Sequence, residues 1–365
     1  MADPKDAGLR MLLDKFVCVR LVQMYGVDLN KFQFDFVQTW AIFYMNADGT
    51  LYGRYGSRSA MQKGSMREIS VEGLKDSIQG VLDFHEIYTK APQAGLRQVA
   101  GKQTKYAPKW SRPEKIPTLA KNKVLAKKFT AHATTKNQRN HGVGCIHCHM
   151  VASSQLMSLR LSGEPIAEQL VWPYPMPSAV GLQMDPKKRS TVMRVYEGSA
   201  AAKAGVKAGD EILRFDGQTI FSTADMQWVL HNAPSEGELS LAVRRGEETK
   251  SIPLRLAKDW RRRLGDHRFT NLGICMQIAG FNGRPSGRNS LKRLAIAVGR
   301  VHRKRMVGID LRRHDTIIAI DGNRETMNLG KLTEYLLGVK PGSEIALTRS
   351  RFGEEAPKTV RIKVN

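Results

Sequence analysis

The chain has 365 residues, 41% of them apolar, which is too long for one ordinary core and too apolar for wholesale disorder. Its 58 Lys and Arg outnumber 34 Asp and Glu, a formal charge of +24 that would attract phosphate backbones, anionic surfaces or acidic proteins. No run of eighteen uncharged apolar residues occurs, which excludes a membrane-spanning helix, and the opening MADPKDAGLRMLLDKF lacks the pattern of a secretory signal.

In residues 1–91, AGLRMLLDKF reads as a helix and FVCVRLVQM as a strand of apolar and β-branched residues. TWAIFYMNADGTLYGRYG reads as a hairpin, its turn chemistry supplied by Asn46-Ala47-Asp48-Gly49. SVEGLKDSIQGVLDFHEIY then reads as an amphipathic helix with Ser70 as N-cap and Glu72 near the positive end. Helix, strand, hairpin and helix in this order resemble the second half of a thioredoxin-like domain. The first strand and the helix with the redox C-x-x-C are missing from it, and Gln38-Thr39-Trp40 stands where a cis-proline is expected. Cys18, mid-strand in this reading, is expected to be buried and apolar in role.

Residues 92–176 read as a basic linker. Between Lys102 and Arg139, Lys105, Lys109, Arg112, Lys115, Lys121, Lys123, Lys127, Lys128 and Lys136 face a single acid, Glu114, and Pro108, Pro113 and Pro117 favour an extended tether. Such a stretch is a solvated tether or a contact for an anionic surface or polymer. No helix-turn-helix, RNP aromatic pair or zinc-finger spacing accompanies the charge, so sequence-specific reading of nucleic acid is not supported.

The linker carries Cys145-Ile146-His147-Cys148-His149, the C-x-x-C-H spelling of covalent haem attachment. In that reading Cys145 and Cys148 add to the haem c vinyl groups and His149 ligates the iron, with Met157 or His141 as second axial ligand. Zinc held by the same cysteines and a histidine, a redox dithiol at a helix start, and a pair of inert cysteines are the alternatives. Haem attachment would place the protein in the periplasm or another extracytoplasmic compartment; without it, a cytoplasmic protein is the alternative. MVASSQLMSLRL is expected to continue as a helix, and LVWPYPMP cannot, because of its prolines.

Residues 177–258 hold the clearest pattern. SAVGLQM, STVMRVYEGSAAAKAGVKAGDEILRFDGQTI, STADMQWVLHNAP and LSLAVRRGEETKSIPLRL together resemble a PDZ domain of the bacterial HtrA type. The resemblance implies that Val180, Gly181 and Leu182 form the loop that receives a peptide's terminal carboxylate. The strand from Leu182 would accept the peptide as an added strand, and Met226, Val229 and Leu230 would line its side-chain pocket. A groove filled by the chain itself is the competing expectation. Residues 267–365 repeat the pattern weakly: NLGICMQIA matches AVGLQM, LRRHDTIIAIDGNRE matches AGDEILRFDGQTI, and EIALTRSRFGEEAPKTVRIKV matches the closing hairpin. A second, PDZ-like domain is expected there, with Leu272-Gly273-Ile274 as its loop and Cys275 as a strand residue.

The order of thioredoxin-like part, C-x-x-C-H and PDZ pair resembles multidomain proteins of Planctomycetes-type bacteria. The expected fold is thus α+β and multidomain: a partial thioredoxin-like α/β domain, a basic linker and two PDZ-like domains of β-sandwich or barrel type with helices. The expected function is extracytoplasmic redox or electron transfer, localised by PDZ contacts to protein or peptide C-termini. The alternative is a non-enzymatic peptide-binding scaffold in which the cysteine motif is structural or binds zinc. No G-x-S-x-G or related nucleophile loop points to a hydrolase.

Overall fold

The computed structural model describes residues 6–36, 38, 40–56, 69–90, 107–121, 146–258, 260–261, 296–297, 308–312, 314–323 and 335–363. The chain divides into two compact units, Met1–Ala152 with Trp172–Arg261, and Ser153–Val171 with Arg262–Asn365. The described residues combine helices with small antiparallel sheets, an α+β architecture, and no sheet among them closes into a barrel.

The first unit opens with α1, Ala7–Leu13, capped by the Asp6 carboxylate, which accepts from the Leu9 N–H at 2.8 Å. The hairpin forms as the sequence predicts, β1 Ile42–Met45 against β2 Leu51–Tyr55. Gly49 takes φ +85° in its turn, where a side chain would be strained. Helix α2, Val71–Lys90, begins at Ser70, whose hydroxyl accepts from the Gly73 N–H at 3.0 Å. Hairpin and helix share one core of Tyr44, Tyr52, Tyr55, Leu74, Ile78, Val81 and Phe84.

The strand expected over FVCVRLVQM does not form. Residues 17–22 join no sheet and are open to solvent, with Val17 94% and Val19 78% exposed. Cys18 is therefore exposed rather than buried. Apolar and β-branched residues favour a strand only where a neighbouring strand takes up the backbone hydrogen bonds. Among the described residues none lies beside this segment. Of the elements on which the thioredoxin-like resemblance rests, the hairpin and its helix are present and this strand is not.

A second cluster of the same unit joins Leu29, Phe34 and Phe36 to Ile116 and Leu119, beside the short helix α3, Pro117–Ala120. Ile146 and Val151 complete it. Helix α4, Cys148–Ser162, follows as expected, and its first turns contribute to this cluster. After α5, Glu168–Val171, the prolines of Trp172–Pro177 end helical structure.

The remainder of the first unit is built around one large core. A 3-10 turn, Pro177–Val180, leads into β3, Leu182–Met184, which pairs with β4, Val192–Val195. Helix α6, Ala200–Lys203, is capped by Ser199. Four strands form a second sheet in the order β6-β5-β7-β8: β5 Glu211–Phe215, β6 Gln218–Thr219, β7 Gly237–Arg245 and β8 Glu248–Leu256. Helix α7, Thr223–Asn232, is capped by Ser222 and seals the core with Met226, Val229 and Leu230.

In the second unit four strands run in the order β12-β11-β10-β9: β9 Ile296–Ala297, β10 Thr316–Ile320, β11 Glu344–Ser350 and β12 Lys358–Lys363. Leu311, Ile317, Ile320, Ile345, Leu347 and Ile362 form its core. The details repeat those of the first unit. Asp210 accepts from the Lys207 N–H at 2.9 Å, and Asp315 accepts from the Arg312 N–H at 2.7 Å. Each carboxylate also receives an arginine fork from a later strand or turn, Arg245 on Asp210 and Arg351 on Asp315, both at 2.7 Å from Nε. Asp216 and Asp321 both take φ +46° and donate their N–H to the adjoining strand. Leu272, Gly273, Ile274 and Cys275 lie outside the described residues.

Candidate peptide-binding site

The predicted carboxylate loop is shaped by Gly181. The 3-10 turn ends on this glycine at φ +94°, so a right-handed stretch passes directly into a left-handed residue. That succession turns backbone amides toward a common concavity. A side chain at Gly181 would drive into the hydroxyl of Ser199 as well as strain the backbone. The Gly181 N–H donates to the Ser178 carbonyl at 3.1 Å, and its carbonyl accepts from Tyr196 at 2.9 Å. Because Gly181 faces β4 in this way, alternation directs the backbone groups of Leu182 and Met184 to the opposite edge of β3. Among the described residues no strand pairs with that edge.

Met226, Val229 and Leu230, predicted as pocket-lining, are buried with Val180, Leu182 and Met184 in the same cluster. Tyr174 belongs to it too. Its ring stacks on His231 with centroids 4.0 Å apart and planes 8° apart. Its N–H donates to His231 Nδ1 at 3.3 Å, and its carbonyl accepts from Gln227 Nε2 at 3.1 Å. Burial, with Arg261 and Arg54 nearby, pushes the His231 imidazole down to about 3, so it stays neutral and Nδ1 remains an acceptor.

The outer face of α7 is covered by the N-terminal hairpin. Asp225 accepts from the Arg54 N–H at 2.8 Å and the Phe221 N–H at 3.0 Å, and Ser222 donates to the Arg54 carbonyl. Gln218 donates to the Tyr52 carbonyl at 3.1 Å. These side chains satisfy the edge of β2 as a neighbouring strand would. The Arg54 guanidinium lies over the Trp228 ring at 4.5 Å, and Trp228 Nε1 donates to Gln33 at 3.1 Å. Burial pushes the Asp225 carboxyl up to about 7 in spite of Arg54, and Arg54 is itself lowered by desolvation.

Neither Tyr174 nor the pair Arg54 and Asp225 was singled out in the sequence. The spacing of Gln227 and His231, four apart on one helical face, is the signal that could have found the first.

The cysteine motif is only partly in view. Cys148 and His149 open α4, while Cys145 and His141 lie outside the described residues and Met157 belongs to the second unit. Burial pushes the half-buried Cys148 thiol up, and burial with the neighbouring His147 holds His149 below the usual imidazole range. The His147 and His149 rings stack at 5.7 Å. Among the described residues no three His, Cys, Asp or Glu side chains gather around one metal position. Residues 92–106 and 122–145 of the basic linker also lie outside them. Among the described residues no helix is long and apolar enough to cross a membrane.

The PDZ domain family matches residues 178–256, the segment from the 3-10 turn to the end of β8. No curated protein matches the chain. The chain therefore contains a PDZ domain, a module class that supports binding of a protein or peptide partner.

Proposed function

We propose that the protein is a binding protein whose PDZ domain captures the C-terminal segment of a partner, adding it as a strand to the free edge of β3. One observation carries this reading: within the matched segment, the left-handed Gly181 ends the turn directly beside the edge of Leu182–Met184 that no strand among the described residues pairs with. Main-chain bonds along that edge supply affinity, and the concavity at Val180–Leu182 accepts the carboxylate. The repeated Asp–Arg forks of the second unit support a second module built on the same plan.

The test is titration of labelled peptides with free or amidated C-termini against the full chain. Free carboxylates are expected to bind and amides to lose about tenfold or more, about 1.4 kcal/mol. Gly181→Trp should abolish binding while far-ultraviolet circular dichroism is retained. Equal binding of free and amidated peptides would overturn the carboxylate reading.

A further inference from the structure

We infer that Gln227 and His231 form an aromatic-accepting subsite on α7, occupied by the chain's own Tyr174, and that the external ligand competing for it is a peptide with an aromatic residue between prolines. The inference deepens the binding reading by naming a second contact on the same domain.

Three observations carry it. Tyr174 is held as a bound ligand is held: both its backbone polar groups are taken by side chains of one helix, and its ring is stacked on one of them. Its backbone is also strained. Tyr174 takes φ +48° although it is bulky and precedes Pro175, a combination that persists only where the surroundings over-determine it. Finally, the subsite is not saturated. Gln227 is 1% exposed, and its Oε1, once Nε2 is given to Tyr174, has no hydrogen-bond partner among the described residues. A buried acceptor of this kind calls for an N–H donor, which a peptide backbone in extended conformation supplies.

The prolines on either side of Tyr174 explain the ligand class. They restrict the free segment before it binds. The segment Trp172–Pro177 runs from this subsite straight into the turn that forms the carboxylate loop.

The probe is the peptide Trp-Pro-Tyr-Pro-Met-Pro, acetylated, amidated and labelled, titrated by fluorescence anisotropy against the full chain and its Tyr174→Ala variant. The variant should bind about tenfold more tightly or better, because the cis occupant lowers apparent affinity by the fraction of open sites. The same peptide with alanine in place of tyrosine should not bind. Equal affinity for the two chains, equal binding of the two peptides, or no binding to the variant would each overturn the inference. Should Tyr174→Ala fail to fold, Tyr174→Leu keeps part of the apolar volume without the ring, and adding Gln227→Ala to it must then weaken binding. The capped probe has no carboxylate, so the two readings fail separately. Loss of free-carboxylate binding alone sinks the strand-addition reading, and loss of capped-peptide binding alone sinks the subsite.

Discussion

Arg54 and Asp225, 171 residues apart in sequence, form a buried ion pair that fastens the N-terminal hairpin to the helix of the PDZ domain. The guanidinium Nη1 lies 3.7 Å from the carboxylate, whose other partners are backbone N–H groups. Removing one partner leaves an uncompensated buried charge, so Asp225→Ala should cost about 3–5 kcal/mol. Replacing both by apolar residues, Arg54→Met with Asp225→Leu, should cost clearly less than the sum of the single changes. Urea unfolding of the four proteins measures this coupling; additive costs would show that the pair acts as two independent groups.

Gly53 tests the same interface by shape alone. A methyl group there would meet the Phe221 ring at 2.5 Å and the Asp225 carboxylate at 3.0 Å. Gly53→Ala should therefore destabilise by about 1–3 kcal/mol, as overpacking does, although alanine suits a strand better than glycine. An unchanged denaturation midpoint would mean that the hairpin is free to move away from the helix.

His231 gives the pH dependence. Its folded value, pushed down to about 3, lies below the unfolded 6.5, so the unfolded chain binds a proton the folded chain refuses. The stability it contributes is whole above 6.5 and falls by about 1.4 kcal/mol for each pH unit between 6.5 and 3. Asp225 acts in the opposite sense. Raised from 3.8 to about 7, it contributes most below 3.8 and loses that contribution as pH rises through 7. Comparing the full chain with His231→Gln between pH 7 and 5 isolates the histidine. The difference in unfolding free energy should narrow or change sign on acidification, and a constant difference would contradict the buried neutral imidazole.

The PDZ segment was legible through its resemblance to a known family, and parts of it through local chemistry. The glycine at 181 and the Asp-Gly turn at 216 and 217 each favour a local conformation, and each is found in it; the serine caps at 199 and 222 emerged with the structure. The Ser70 cap and the turn at Gly49 were legible for the same reason. What periodicity could not show is which polar residues are buried by a distant segment. Arg54 in a strand and Asp225, Gln227 and His231 on a helix are polar residues, yet all are buried. Their partners lie far away in sequence, and no pattern within one element records them. The strand expected at residues 16–24 failed for a related reason, because propensity describes a segment without saying whether a neighbour is present.

The thiols should differ in reactivity. Cys18 is exposed, while Cys148 is half-buried and its thiol is pushed up by that burial. Since the thiolate is the nucleophile, iodoacetamide near neutral pH should modify Cys18 before Cys148, and raising the pH should accelerate Cys148. Peptide mass mapping of a time course measures the order. Faster modification of Cys148 would point instead to an activated thiol, as a C-x-x-C redox pair requires.

The paired forks Arg245–Asp210 and Arg351–Asp315 bear on whether the two units follow one plan. Both aspartates are 1% exposed and both brace the turn that enters a core strand. Burial pushes the Asp210 carboxyl up, but the Arg245 fork and the Lys207 amide outweigh it and hold it below the ordinary value. Its contribution is therefore present above about pH 4 and lost as pH falls through the lowered folded value. Charge-assisted bonds of this kind contribute about 1.5–3 kcal/mol, so Asp210→Ala and Asp315→Ala should destabilise by similar amounts. If the forks brace equivalent turns, hydrogen exchange in each variant should rise first in the strand that the mutated turn enters: Glu211–Phe215 for Asp210→Ala, and Thr316–Ile320 for Asp315→Ala. A loss confined to one variant would show that the two forks do not brace equivalent turns.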